Sequence, residues 1–324
     1  MNVENQVGIQ VRSINQIGMA VSDVERVVQM YWNILGIGPW TIGKAADRDF
    51  YDRIYRGKSA YFVQKYALAD IGTVEFELAE TQEGQTPQTD FLAEHGEGIQ
   101  HLQYTVDNSS DVEEHVKILA RQGFPLYMRA LLPNDGSCSY VDTRSALKTT
   151  WEIVKYPEAF SSPTSRYPSN ETEESPAWLK VKAIDQVGIV VKNLEDVMQS
   201  YSKILGIGPW KVVDYIPPML RDTTYRNKPS NFTSRSATTT VGRIELELVQ
   251  PLSGDNLFID HICDHGEGIH HLGISVSNID ETIRILNREG FSTLMSGRLS
   301  NNVFAYLDTK GPLRTIFKVM SNDS

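Results

Sequence analysis

The stretch ILGIGPW, Ile34 to Trp40, returns letter for letter at Ile204 to Trp210, and HGEGI at His95 to Ile99 returns at His265 to Ile269. The steps from 34 to 204 and from 95 to 265 are both 170 residues. A step held constant across separated motifs means tandem copies of one structural unit. Upstream of the first motif, Val24, Val27, Val28, Tyr31, Ile34 and Leu35 fall at helical spacing, and Leu194, Val197, Met198, Tyr201, Ile204 and Leu205 repeat the pattern. Gly36 and Gly206 stand where such helices stop. An alternating strand precedes each helix, at 14–21 and 184–191, and strand-like stretches follow at 40–46, 59–67 and 72–80 in the first copy. The unit is strand, helix, three strands.

A second unit of the same kind begins within each copy. In the first it runs through a strand at 99–106, a helix at 111–122 and strands at 125–131, 137–142 and 149–156. Ser110 with Glu113 three residues on is a helix start signal, and Gly123 a stop. The chain therefore carries four βαβββ modules. Between the copies, residues 157–176 are rich in Pro, Ser and Glu, which build no core, and read as a linker.

Composition agrees with a globular, two-part chain. Its 324 residues are enough for two cores, with 40% hydrophobic and 22% charged residues. No apolar run approaches the ~20 residues needed to cross a bilayer, and the N-terminus carries no secretory signal pattern. A cytoplasmic location follows as the expectation. Cys138 and Cys263 form neither a disulfide framework nor a CxxC pair and read as idle thiols. A formal net charge of −10 opposes nucleic acid and anionic membranes as partners, since phosphate binding needs clustered Lys and Arg. A small molecule is the expected partner, and assembly into a homo-oligomer stays open.

Strand parity sorts the polar residues by face. Val74, Phe76 and Leu78 oppose Glu75 and Glu77; Leu102, Tyr104 and Val106 oppose His101, Gln103 and Thr105; Trp151 and Ile153 oppose Glu152. Gln16 shares its side with Gly18 and Ala20, which leave room above the sheet. Gln16, Glu77, His101 and Glu152 thus line one concave face, although taken singly each has an ordinary reading as a strand residue that hydrogen-bonds or meets water. In the second copy Gln186, Glu247 and His271 recur, but Lys318 stands where Glu152 stood. An ammonium there would cost Coulomb energy against any bound cation, so the two faces are not equivalent. His95 and His265 read as capping or local hydrogen-bonding residues, and Tyr51, Tyr55, Tyr61, Phe62 and Tyr66 as either cup lining or core.

In INQIGMAV, FELAE, GIQHLQYTV and TTWEIVKYP of the first copy, with IDQVGIVV, LELVQP and GIHHLGISV of the second, the chain resembles the vicinal oxygen chelate superfamily. The resemblance implies an α+β fold of four βαβββ modules in two tandem pairs, each pair a curved mixed sheet forming a cup with helices outside. It places one such domain at 1–156, a linker at 157–178 and a second domain at 179–324. It also implies a metal set of Gln16, Glu77, His101 and Glu152, similar to that of glyoxalase I, holding one divalent ion. The residues do not choose among Zn²⁺, Ni²⁺, Co²⁺, Mn²⁺ and Fe²⁺. Members of the family also build cups by exchanging modules, which here gives Gln186 and Glu247 with His101 and Glu152.

The implied activity is that of a metal-dependent isomerase, epimerase or lyase acting on a small carbonyl compound through an enolate, similar to glyoxalase or methylmalonyl-CoA epimerase. Glu152 and Glu77 would move the proton. Two alternatives stay open: extradiol ring cleavage, which needs two His and one carboxylate around Fe(II), and a non-catalytic binding or resistance protein.

Overall fold

The computed structural model describes residues 8–46, 49–72, 74–158, 164–170, 172–299 and 302–321; Thr73 and linker residues 159–163 and 171, included in the expected elements above, lie outside the described residues. The first half opens with β1 (Gln16–Ala20), α1 (Val24–Leu35), β2 (Trp40–Ala45), β3 (Tyr51–Tyr55), β4 (Lys58–Ser59), β5 (Phe62–Asp70) and β6 (Glu75–Gly84). It continues through α2 (Pro87–His95), β7 (Gly98–Thr105), α3 (Ser109–Arg121), β8 (Leu126–Leu132), β9 (Gly136–Val141), α4 (Arg144–Leu147), β10 (Thr150–Lys155) and β11 (Thr164–Tyr167). The second half repeats the order with β12 (Gln186–Val190), α5 (Leu194–Leu205), β13 (Lys211–Tyr215), β14 (Leu220–Tyr225), β15 (Lys228–Pro229), β16 (Thr233–Val241) and β17 (Ile244–Ser253). Then come α6 (Leu257–His265), β18 (Gly268–Val276), α7 (Ile279–Arg288), β19 (Thr293–Leu299), β20 (Asn302–Leu307), α8 (Lys310–Leu313) and β21 (Ile316–Ser321).

Each half forms one mixed sheet. The first has the order β11-β2-β5-β6-β1-β7-β10-β9-β8-β3-β4, the second β13-β16-β17-β12-β18-β21-β20-β19-β14-β15. The two modules of a half meet where β1 runs parallel to β6 and antiparallel to β7, and where β12 does the same with β17 and β18. Module exchange between the halves is therefore not the arrangement this chain adopts: β1 pairs with strands of its own copy, so Gln186 and Glu247 stand in the second sheet, away from His101 and Glu152. The expected α+β class, with paired modules forming curved sheets backed by helices, is the observed one.

Three local details differ from the sequence reading. The hairpin β3–β4 leaves its own module and pairs with β8 of the next, extending the sheet. Helix α3 is preceded by Asn108, not Ser110, with no side-chain cap bond. Part of the segment read as linker, Thr164–Tyr167, is an edge strand paired with β2.

The ILGIGPW motif ends α1 and α5. Asp23 caps α1 by accepting a hydrogen bond from the Arg26 N–H, Asn193 does the same for α5 through Asp196, and Gly36 and Gly206 close both helices at a φ of 65°. That left-handed geometry is cheap for glycine and costly for a residue with a Cβ. Val24, Val27, Val28, Tyr31 and Leu35 turn inward from α1 and are fully or almost fully buried. They belong to a single apolar core that runs on into the second half through Ile189, Tyr201, Leu205 and Phe317. The backs of the two sheets share this core, and the cups face away from it.

Polar contacts between the halves come in related pairs. Tyr31 donates to the Leu313 carbonyl at 2.7 Å and Tyr201 to the Leu147 carbonyl at 2.9 Å. The glutamates of the two HGEGI motifs reach across as well, Glu97 to Arg314 at 2.7 Å and Glu267 to Lys148 at 2.9 Å. The repeated motif is thus a latch between the halves. His265 accepts from Lys310 at 2.8 Å, a local hydrogen bond.

Candidate metal centre

Four adjacent strands supply one residue each to the floor of the first cup: Glu77 from β6, Gln16 from β1, His101 from β7 and Glu152 from β10. Neighbouring strands stand about 4.8 Å apart, so on a flat sheet roughly 14 Å would separate Glu77 from Glu152. Instead Glu77 Oε2 lies 3.5 Å from His101 Nε2 and Glu152 Oε2 lies 3.4 Å from it. Curling of the sheet makes the site.

Glycine allows the histidine its place. Gly18 faces His101 across the β1–β7 ladder, and a Cβ on Gly18 would sit 1.8 Å from His101 Cε1. Any side chain there would displace the ring. The register also slips beside this pair, between Gly18 and Met19, placing one extra residue, Gln100, in β7. Gln100 is buried, and its Oε1 lies 2.8 Å from His101 Nδ1. Accepting the Nδ1 proton fixes the tautomer and leaves the Nε2 lone pair aimed into the cup. Tyr140 packs edge-on against the ring, with centroids 5.0 Å apart.

Gln16 is oriented in the same way. Its Nε2 donates to Glu75 Oε1 at 2.7 Å, which turns its Oε1 toward His101 Nε2 at 3.4 Å. Tyr156 also donates to Glu75, at 3.2 Å. Tyr66, half-buried, lies near enough to feel the Glu77 charge, whereas Phe62 is core, and Tyr51 and Tyr61 are exposed.

The electrostatics of this cup are unbalanced. Burial, then Glu152, then Glu75 push the Glu77 carboxyl well above the usual carboxylate range. Burial also raises Glu75, against the hydrogen bonds from Gln16 and Tyr156. Glu77 Oε2 is buried and has no hydrogen-bond partner. Carboxylates gathered round one imidazole, one of them with an orphaned oxygen, suit a cation.

The donor set fits a divalent metal, with three oxygens and an imidazole nitrogen of correct tautomer. With bonds of about 2.1 Å, neighbouring ligands of one ion stand about 3.0–3.4 Å apart, close to the spacing of each oxygen from Nε2. Among the described residues, the trio whose oxygens lie within 4.8 Å of one another is Asp23, Glu25 and Glu80. An ion in the cup must therefore draw Glu77 and Glu152 in around the histidine. The trio itself is engaged elsewhere: Asp23 caps α1, Glu25 pairs with Lys65, and Glu80 accepts from the Val24 N–H.

The second cup keeps the frame and changes the charge. His271 lies over Gly188, Gln186 donates to Glu245 at 2.6 Å, and Tyr306 replaces Tyr140 beside the histidine. His270 takes the place of Gln100, with Nδ1 3.1 Å from His271 Nδ1. Lys318 Nζ donates to Gln186 Oε1 at 2.8 Å and to Glu247 Oε2 at 3.0 Å. Burial alone would raise the Glu247 carboxyl, but the Lys318 ammonium and His271 bring it down to about 2.

Residues 15–140 and 185–305 match the family model described as Glyoxalase/Bleomycin resistance protein/Dioxygenase superfamily. The chain belongs to that superfamily. Within it, the matched segments hold Gln16, Glu77 and His101 with their counterparts Gln186, Glu247 and His271, and stop short of Glu152 and Lys318. Among solved structures, a mutant 4-hydroxymandelate synthase from Streptomyces coelicolor is 13% identical, with 97% of this chain and 93% of that one covered and a TM-score of 0.59. A Mn(II)-bound glyoxalase from Novosphingobium aromaticivorans is 15% identical over 96% of this chain and 82% of that one, with a TM-score of 0.48. Comparison with curated proteins finds no match.

Strand parity alone assigns Gln16, Glu77, His101 and Glu152 to one face, and in the structure the four stand together. It misses Gln100, because a bulge cannot be seen in strand parity, and the supporting part of Glu75. Gly18 carries a signal, since a glycine opposite a histidine marks a close approach.

Proposed function

We propose that the first cup holds one divalent metal ion through Gln16, Glu77, His101 and Glu152, and that the protein is a metal-dependent isomerase, epimerase or lyase acting on a small carbonyl compound through an enolate. The observation that carries this reading is the buried, unpartnered oxygen of Glu77 beside a histidine whose Nε2 lone pair is fixed toward it. Membership of the superfamily supports metal-dependent chemistry of the vicinal oxygen chelate type.

A divalent ion in this place supplies Lewis-acid stabilisation of negative charge on a substrate oxygen. The chain's own residues do the rest. Glu77 and Glu152 reach in from β6 and β10 on opposite sides of the cup, so each is placed to take or return a proton at a carbon next to the carbonyl. Return by the same carboxylate retains configuration, and return by the other inverts it. Gln100 and Tyr140 hold the His101 ring, while Glu75 holds the Gln16 amide. Ring cleavage by Fe(II) fits less well, because this cup offers one imidazole where two are needed.

Solvent deuterium tests the reading. Metal-loaded protein is expected to wash deuterium into the α-position of its substrate, to stop on chelation and to resume when metal is restored. Loaded protein that exchanges no proton across a broad panel of α-substituted carbonyl compounds contradicts it.

A further inference from the structure

The second cup has an occupied floor and an open interior. Lys318 Nζ satisfies Gln186 Oε1 and Glu247 Oε2, the oxygens that correspond to metal ligands in the first cup. An ammonium has three donors, so one N–H remains. Above it lies a cavity of about 390 Å³, with Tyr215, Leu220, Phe232, Phe304 and Met320 as its apolar wall and Lys211, Ser234, Thr238 and Asn302 among its polar lining. That volume is within the usual range for small-molecule sites. Gly273 pairs with Lys318 where Gln103 pairs with Glu152, which removes a side chain from this part of the cup. Ser236 also lines the cavity, and its hydroxyl is buried with no partner.

We propose that the second cup is a metal-independent binding site for a neutral small molecule with an apolar part that carries a carbonyl or similar acceptor oxygen, with Lys318 as its fixed hydrogen-bond donor and the Ser236 hydroxyl as a second polar contact. The charge balance selects this class. Lys318 and Glu247 neutralise one another, while Glu245, bonded to Gln186, adds a carboxylate and Lys211 an ammonium, so the charges lining the cavity balance. An anionic ligand meets that carboxylate, and a cationic one meets the ammonium. A neutral acceptor meets neither penalty, and the aromatic and aliphatic walls take its body. The site depends on no metal because the lysine already occupies the cation's place.

The test uses 6-propionyl-2-(dimethylamino)naphthalene, a neutral aryl ketone whose emission reports both an apolar surround and a hydrogen bond to its carbonyl. Full-length protein with a chelator present is expected to bind it at one site, and Glu152→Gln, in the other cup, is expected to leave its affinity within twofold. Removing Lys318 alone would strand Glu247, so the informative variant is Lys318→Met with Glu247→Gln, which keeps volume and removes both charges. Affinity should fall at least tenfold with the fold intact by circular dichroism, and Ser236→Phe, which fills the cavity, should abolish binding. No binding by the wild type, unchanged affinity in the double variant or in Ser236→Phe, or loss of binding with the chelator or Glu152→Gln overturns the proposal.

Discussion

The two cups are the same object built twice, with the sign of one charge reversed. Each has a glutamine on its first strand held by a carboxylate, a histidine seated over a glycine, and a tyrosine against the histidine ring. Glu152 in one and Lys318 in the other decide what remains. In the first, the Glu77 carboxyl is forced upward by burial and by its carboxylate neighbours; in the second, the more deeply buried Glu247 carboxyl is brought down by an ammonium. Burial disfavours both carboxylates, and the neighbouring charge determines the outcome. On the function proposed above, each floor takes a cation, from solution in one cup and from the chain in the other.

The largest effect expected is from Glu152→Gln, which removes a charged oxygen from the first cup. Metal-linked exchange should fall by at least about two orders of magnitude, the usual scale for loss of a group acting in proton transfer, whereas Lys318→Glu should leave that exchange largely intact. Assay of both variants side by side distinguishes the cups, and a silent Glu152→Gln breaks the asymmetry. Gly18→Ala comes next. Its Cβ would fall where the His101 ring now lies, so metal affinity and activity should drop together, and an unaffected enzyme would show that the ring can sit elsewhere. Gln100→Leu, which deprives His101 Nδ1 of its acceptor, is expected to weaken metal binding about 10- to 100-fold. Titration with a competing chelator measures it.

Acid stability tests the second cup. The Glu247 carboxyl is lowered on folding, so its pairing stabilises the fold above the ordinary carboxylate range. That contribution, on the order of 3 kcal/mol, is lost as the pH falls from about 4.5 toward the value of about 2 in the folded protein. Lys318→Met should cost about 3–5 kcal/mol at neutral pH, because it leaves a buried charge unpaired. Its carboxyl should then be raised, so stability of this variant rises between pH 7 and pH 5, where the Glu247 contribution to the wild type stays unchanged. Denaturant melts at pH 7 and pH 5 read the difference. The smallest effect expected is at the contact between halves, where Tyr31→Phe removes one buried hydrogen bond worth about 1 kcal/mol.

Much of this comparison is legible in the amino-acid sequence alone. Helical spacing around ILGIGPW and the alternation of strand faces depend on local periodicity, and they place the ligand-bearing strands and their inward sides. What escapes depends on contacts between distant parts. The β3–β4 hairpin has no clear alternation, needs positive φ at Asp52 and Arg56, and finds its partner in another module. Gln100 enters the site through a bulge, which moves one residue off the parity of its strand. Lys318 is legible as an obstacle to metal, but its pairing with Gln186 and Glu247 is not, because that needs three strands brought together by curvature. HGEGI announces itself by repetition, yet its glutamates act on the opposite half.

Metal content per chain tests the central claim most directly. Protein loaded with excess divalent metal and then desalted should retain one ion per chain by elemental analysis, the Glu152→Gln variant should retain none, and the Lys318→Met, Glu247→Gln double variant should still retain one. Two ions per wild-type chain, or one that survives Glu152→Gln and disappears with the change in the second cup, would contradict the account.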